Sequence, residues 1–172
     1  MRLTLRVLAI LFDYPRDEFK KIVRERDEVV EALGAENREA AEAIQRFLKS
    51  LDPEKADEEY VSVFEVPPKC SLYAHTYLLK GKEDMVGQLL LEVKGHYKVK
   101  GYDVPVRKEL PTYLPVMLEY LSLVYDEDRE AAKRFARRYI KPWVGHLKKC
   151  LYKANSPWKF AAEALEKVLD TL

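Results

Sequence analysis

The sequence has few of the features that mark membrane, secreted or β-sheet proteins. Its apolar run VLAILF, residues 7–12, is too short for a membrane span or a signal-peptide core. We therefore expect a cytoplasmic protein with no stable membrane insertion. The two cysteines, Cys70 and Cys150, are far apart and form no CxxC pair, so a disulfide framework is not expected.

Net charge is also nearly absent, since 30 basic residues oppose 29 acidic ones. Bulk attraction to nucleic acid or to an anionic membrane is therefore not expected. Asparagine and glutamine together occur only four times, whereas charged residues make up 34% of the chain. This bias is typical of heat-adapted proteins.

Catalytic motifs are missing as well. The chain contains no nucleophile elbow, no phosphate-binding loop and no HExxH, and this predicts a protein that is not an enzyme and needs no cofactor. Cys70, His75, His146 and Cys150 carry the donor atoms of a tetrahedral zinc site. Because nothing in the sequence brings the two pairs together, no metal site is predicted and both cysteines are interpreted as small buried hydrophobes.

What the sequence does contain is helical periodicity throughout, which predicts an all-α protein. We expect one domain, residues 1–172, of about eight or nine helices. A loop is predicted at residues 102–108. The first predicted helix ends near Tyr14, the second is closed by Gly34, and Asn37 caps the third. The fourth begins at Asp52 and Pro53 and is stopped by Pro67, and a later helix is ended by Gly101. Asp128 begins another helix, which is interrupted near Pro142, and Ser156 caps the last one.

The stretch ELPTYLPVMLEYL, residues 109–121, places two prolines in an amphipathic helix pattern. If the helix begins at Pro111 or Thr112, both prolines fall within or just after its first turn, where a missing N–H leaves no bond unmade. The macrodipole then favours a carboxylate just before that turn. The predicted buried side consists of Leu114, Met117, Leu118, Leu121 and Val124. A well-made helix start accounts for this pattern without any function.

The same stretch resembles the signature segment of the NarJ/TorD-like chaperones, which are cytosolic assembly factors of molybdenum-containing oxidoreductases. Further segments resemble that family in the same order along the chain, from about residue 60 to the end. They are YVSVFEV, SLYAHTYL, LLLEVKGHYKVKGYDV, RYIKPWVGHL and NSPWKFAAEAL. Many relatives carry Asp where this chain has Thr112, and TorD-like members often carry His where it has Tyr113. The resemblance therefore favours the NarJ-like branch.

The resemblance implies an all-helical protein that is not an enzyme. Such a chaperone binds the N-terminal leader or tail of a molybdoenzyme catalytic subunit and assists cofactor insertion and assembly before export. By resemblance, Glu109, Tyr113, Leu114 and Glu119 line the peptide groove. Swapped helices in relatives leave monomer and domain-swapped dimer both open.

Residue chemistry fits a peptide client, because an arginine-bearing amphipathic peptide needs an apolar groove with carboxylates. Residues 52–65 contain six acidic side chains against one lysine, although such a run is also typical of a solvated helix face. Tyrosine offers contact area at little cost in rotamer entropy, yet each aromatic residue could equally be core. The predicted aromatic contacts are Tyr60, Phe64, Tyr73 and Tyr97.

A different function is suggested by residues 129–153, where nine Lys or Arg oppose Glu130 alone. Such a face could belong to a nucleic-acid-binding or regulatory helical module. The other interpretation is the outer side of an amphipathic helix, since Ala132, Phe135 and Tyr139 define a normal buried side. No recognition motif for nucleic acid accompanies the basic residues, so nucleic acid is not the expected partner.

Overall fold

The computed structural model describes residues 1–104 and 109–172, so part of the loop predicted at residues 102–108 lies outside the described residues. The described ranges form eleven α-helices and contain no β-strand, which confirms the all-α prediction and makes the predicted count too low. The helices are α1 (Arg2–Leu11), α2 (Asp17–Arg24), α3 (Arg26–Glu36), α4 (Arg38–Ser50), α5 (Ala56–Phe64), α6 (Ala74–Leu78), α7 (Val86–Val99, after a 3-10 turn at Glu83–Met85), α8 (Leu114–Val124), α9 (Arg129–Tyr139), α10 (Lys141–Lys153) and α11 (Trp158–Thr171).

One of the additional helices arises because the segment predicted as the second helix forms two helices, α2 and α3. The chain leaves helical geometry at Glu25, where φ is −98° and ψ is 25°, and this separates α2 from α3. Gly34 lies inside α3 instead of closing it. No glycine or proline marks the bend at Glu25, so the apolar pattern on its two sides reads as continuous.

Helices α1 and α8 are central to the fold. In α8, nine of eleven residues are buried, and the five residues predicted as its inner side are among them. Six residues of α1 are buried, and this helix packs against α3, α8 and α11. A helix that is apolar on nearly all sides must be covered on nearly all sides. Helices α1 and α9 pack against α8, α11 packs against α1, and α4 packs against α11.

An aromatic cluster fixes the C-terminal end of α1. Trp158 is fully buried, and its indole Nε1–H donates to the Leu11 carbonyl at 2.7 Å. The Tyr60 hydroxyl donates to the Phe12 carbonyl at 2.9 Å. The last carbonyls of a helix have no partner inside it, so side chains from α11 and α5 satisfy these two. The cluster around Trp158 comprises Phe19, Phe47, Tyr60 and Phe64.

The helix N-termini follow the predicted caps in part. Asn37 and Asp128 accept from the backbone N–H of Ala40 and Ala131, so both predicted caps are confirmed. The prediction for Asp52 is wrong. Its side chain accepts from the N–H of Glu54, which closes a turn, and α5 begins only at Ala56.

The segment before α8 is extended, so the predicted start at Pro111 or Thr112 is wrong and the helix begins at Leu114. The residues before it pair with the segment before α6. The N–H of Ala74 donates to the Thr112 carbonyl at 2.9 Å, and the N–H of Leu114 donates to the Leu72 carbonyl at 2.8 Å. These bonds satisfy backbone groups that an earlier helical turn would have used. Pro115 stands in the first turn of α8, where its missing N–H breaks no bond.

The expectation about the cysteines is also wrong. Cys70 and Cys150 form a disulfide across 80 residues of sequence, with their Cα atoms 5.9 Å apart. Packing of α6 on α10 brings them together, and the rings of Tyr77 and Trp143 stack at 4.9 Å in the same contact. This proximity depends on tertiary packing, and sequence spacing does not reveal it.

Candidate functional site

A cleft lies between α1 and the start of α8, and we call it the acidic cleft. Its volume is about 210 Å³. Among the residues that the structure describes, four carboxylates and one guanidinium face it, and Arg6 is 4.0 Å from one of those carboxylates, Glu18. The other described lining residues are apolar except Tyr113. The lining residues are Arg6, Ala9, Ile10, Asp13, Glu18, Glu109, Tyr113, Pro115, Val116 and Glu119.

Glu109 and Glu119 are the two carboxylates contributed by the segment around the start of α8. Tyr73 donates its hydroxyl to Glu109 Oε2 at 3.1 Å, and Tyr102 donates to Glu119 Oε2 at 3.0 Å. In the described part of the chain no group donates to Oε1 of either residue, and no Lys or Arg pairs with them. As far as the described residues go, each carboxylate is thus held by one tyrosine and has one oxygen open to a further donor.

The two tyrosines remain hydrogen-bond donors at any physiological pH. Burial, and then the charge of Glu109, raises the pKa of Tyr73 to about 12. Burial and the charge of Glu119 raise the pKa of Tyr102 well above its ordinary value of 10. A neutral phenol orients a carboxylate without neutralising it. Both glutamates therefore present negative charge in a fixed direction, which suits a guanidinium or ammonium group.

A chain of hydroxyl groups forms the floor of the acidic cleft. Because the proton of Tyr60 is directed at the Phe12 carbonyl, Tyr113 is the donor in the 2.7 Å contact between the two phenols. The Tyr113 hydroxyl also lies 3.3 Å from Asp13 Oδ1. Burial raises the pKa of both tyrosines well above 10, so the chain stays protonated. It connects α8 to the end of α1.

We expect Tyr113→Phe to lower the free energy of unfolding by about 1 kcal/mol, because one buried hydrogen bond is lost while the ring stays in place. Urea denaturation followed by circular dichroism measures this. Tyr73→Phe is the matched control, since its hydroxyl is only half-buried, and a smaller loss is expected there. An equal loss in both variants would contradict a special role for the buried chain.

The sequence is similar to those of a known protein family. The chain matches the family model described as nitrate reductase delta subunit over residues 30–159. It belongs to that family. It is 31% identical over 174 residues to the "probable nitrate reductase molybdenum cofactor assembly chaperone NarJ" of Bacillus subtilis (strain 168), covering 99% of this chain and 89% of that protein.

This member of the nitrate reductase delta subunit family is also similar to one further protein in sequence and to one solved structure in fold. It is 31% identical over 126 residues to the nitrate reductase-like protein NarX of Mycobacterium tuberculosis, of which it covers 18%. The crystal structure of an Archaeoglobus fulgidus protein described as a redox enzyme maturation protein has a TM-score of 0.69 at 22% identity, covering 99% of this chain and 94% of that one. The family is one of maturation chaperones and not of catalytic enzymes, as the sequence predicted.

The predicted peptide-contact residues fall into three groups by position: residues that line the acidic cleft, one that adjoins it, and residues that are buried in the core. Glu109, Tyr113 and Glu119 line the acidic cleft, and Tyr73 adjoins it through its bond to Glu109. The other four are buried in the core: Tyr60, Phe64, Tyr97 and Leu114. The Tyr97 hydroxyl donates to the Pro111 carbonyl at 2.5 Å. None of these four side chains lines the acidic cleft, and Tyr60 reaches it only through its hydrogen bond with Tyr113.

The wall contributed by α1 and α2 was not found from the sequence. Arg6, Asp13 and Glu18 face the acidic cleft together with apolar residues of α1. One signal was available: Arg6 interrupts an otherwise apolar run, and an interruption in a central helix indicates a face that reaches solvent. The resemblance to chaperones began only near residue 60, so it gave no reason to look here.

Position 112 faces away from the cleft. Thr112 is fully buried, and its Oγ1 lies 2.6 Å from His75 Nδ1. Burial lowers the pKa of His75, so its ring is neutral at pH 7. The Asp that many relatives carry at this position would thus meet the histidine in this fold, and the threonine removes no carboxylate from the cleft.

The strongly basic stretch of residues 129–153 is partly neutralised in the fold. Four of its nine cations, Lys133, Arg138, Lys141 and Lys148, pair with carboxylates. Its predicted inner side is confirmed, because Ala132, Phe135 and Tyr139 are buried. These pairs favour its interpretation as the outer side of an amphipathic helix pair.

Neither a metal site nor a membrane span is present in the part of the chain that the structure describes. No three His, Cys, Asp or Glu side chains in residues 1–104 and 109–172 are arranged to hold a metal ion. The sulfur atoms of the suggested zinc set are bonded to each other. Among the described helices, none has both the length and the apolar character needed to cross a bilayer.

Proposed function

We propose that this protein is a chaperone for a molybdenum-containing oxidoreductase. It binds the N-terminal leader or tail of the catalytic subunit in the acidic cleft, in the cytoplasm, and assists cofactor insertion and assembly before export. Residues 1–172 act as one unit in this role. Family membership supports the chaperone role, and the relative in Bacillus subtilis is named for molybdenum cofactor assembly.

The observation that carries the proposal is the arrangement of Glu109 and Glu119. Both carboxylates face one cleft, each is oriented by a tyrosine, and each keeps Oε1 without a donor in the described residues. Arginine and carboxylate pair through planar, charge-assisted hydrogen bonds. The cleft is therefore suited to basic side chains of an amphipathic peptide, and Ile10, Pro115 and Val116 supply apolar contact beside them.

Binding of this kind requires little rearrangement of the chaperone. The floor under the cleft is buried, and the end of α1 is fixed by Trp158 and Tyr60. A site whose walls are already ordered loses little entropy on binding, so more of the contact energy appears as affinity. No bond of the client is made or broken, which agrees with a family of chaperones.

Affinity capture of the tagged protein from its host, followed by mass spectrometry, tests the proposal. We expect recovery of a large molybdopterin-containing catalytic subunit, and loss of that recovery when the first residues of the subunit are deleted. Capture that is unchanged by the deletion would exclude the leader or tail as the bound segment. Recovery of nucleic acid in place of the subunit would count against the chaperone function itself.

A further inference from the structure

The disulfide between Cys70 and Cys150 lies three residues before Tyr73, which bonds to Glu109 of the acidic cleft. Leu72 accepts from the N–H of Leu114, and Tyr73 donates its hydroxyl to Glu109. The segment 70–73 therefore joins the start of α8 on one side and, through its disulfide, α10 on the other.

We infer that this disulfide is a redox-sensitive clamp on the acidic cleft. While it is closed, the segment 70–73 is held against the start of α8 and Tyr73 keeps Glu109 oriented. When it opens, the segment loses its covalent connection to α10, and the short bridge to residues 112–114 loosens. The regulatory consequence for client binding rests on the proposed function, whereas the clamp itself does not.

The surroundings of the disulfide favour a local response over global unfolding. The chain before it is anchored separately, since the N–H groups of Lys69 and Cys70 both donate to the Val63 carbonyl. The chain after it keeps the stacking of Tyr77 on Trp143. Between these two anchors, the segment meets the start of α8 through an isolated β-bridge, its backbone hydrogen bonds and the ring contact of Tyr73 with Tyr113. A short bridge of this kind opens more easily than a packed helix.

Access to the two sulfur atoms is unequal. Cys70 is 1% exposed, whereas Cys150 is only half-buried and is flanked by the exposed Lys149. Exchange requires the incoming thiolate to reach a sulfur atom, and the exposed ammonium of Lys149 attracts that anion to the Cys150 side. Cys150 Sγ is therefore the sulfur that an incoming thiolate reaches.

The step is thiol–disulfide exchange with a dithiol reductant. A reductant thiolate attacks Cys150 Sγ, and the bond between the two cysteines breaks. Cys70 leaves as a thiolate that takes up a proton. The second reductant thiol then displaces Cys150 and closes the reductant disulfide, so two electrons and two protons pass to the protein. A disulfide oxidant of the same class reverses the step.

Amide hydrogen exchange on the full chain tests the clamp without reference to any client. The reporters are the amides of Ala74 and Leu114, which form the bridge, and the references are those of Phe12 and Leu51 at other helix ends. We expect reduction with dithiothreitol to accelerate the reporters by about tenfold or more, with the references unchanged. Alkylation and mass spectrometry verify that both cysteines are reduced. Unchanged reporters would overturn the clamp.

A variant and a binding measurement complete the experiment. Cys70→Ala with Cys150→Ser should reproduce the exchange rates of the reduced protein and no longer respond to dithiothreitol. The N-terminal peptide of the captured catalytic subunit should bind the reduced protein about three- to tenfold more weakly than the oxidised protein. Equal affinity alongside faster exchange would overturn the regulatory role. A peptide that binds neither form would count against the proposed function, while the exchange rates would still decide the clamp.

Discussion

Replacing Glu109 and Glu119 together by glutamine is expected to weaken binding of the client N-terminal peptide by about 10- to 50-fold. Within residues 1–104 and 109–172, each carboxylate has one oxygen that receives no hydrogen bond and can accept from a basic side chain. Hydrogen bonds to charged groups contribute about 1.5–3 kcal/mol. Both residues are only half-buried, so solvent screening reduces that figure. Glutamine keeps the size of the side chain, and the tyrosine bonds survive through its carbonyl oxygen.

Isothermal titration calorimetry with the N-terminal peptide of the captured subunit measures the affinities of the unaltered protein and the double variant. The matched control is Glu54→Gln with Glu58→Gln, which removes two exposed negative charges from the acidic stretch of residues 52–65. We expect its affinity to change by less than about threefold, because exposed charges are screened. If both double variants lost affinity equally, general electrostatic attraction would explain binding and the cleft would have no special role.

The sequence was informative about the centre of the fold for a physical reason. The inner side of α8 and the caps at Asn37 and Asp128 were predicted correctly, because burial periodicity and capping are local properties of the chain. The start of α8 was predicted too early. Backbone pairing of residues 112–114 with residues 72–74 competes there with the helical turn, and no local pattern reveals a partner forty residues away.

Only the part of the candidate site near the start of α8 was predictable from the sequence. Glu109, Tyr113 and Glu119 lie on the segment that drew attention in the sequence, and they share the acidic cleft. Tyr60 and Tyr97 were expected as contacts but are about 1% exposed. A tyrosine in a sequence does not show whether its ring faces a groove or supports it from below. The α1 wall and the disulfide both arise from packing between distant segments, which one sequence without its fold does not specify.

The largest loss of stability is expected at Trp158. Trp158→Ala should lower the free energy of unfolding by about 3–5 kcal/mol, because it empties the centre of the aromatic cluster. Trp158→Phe should cost about 2 kcal/mol and is the more informative change. It keeps an aromatic ring against Phe47 and Tyr60 but leaves the Leu11 carbonyl without its donor. Urea denaturation measures both differences.

Trp143→Phe is the matched control for the effect of Trp158→Phe on binding of the client peptide. Trp143 is equally buried, and its Nε1–H also donates to a backbone carbonyl, that of Tyr139, but it lies in α10 and not at the end of α1. We expect similar stability losses in the two variants. Only Trp158→Phe should also weaken binding of the client peptide, because Leu11 ends the helix that carries Ile10 into the acidic cleft. Equal affinities in the two folded variants would show that the anchoring of α1 stabilises the protein without shaping the cleft.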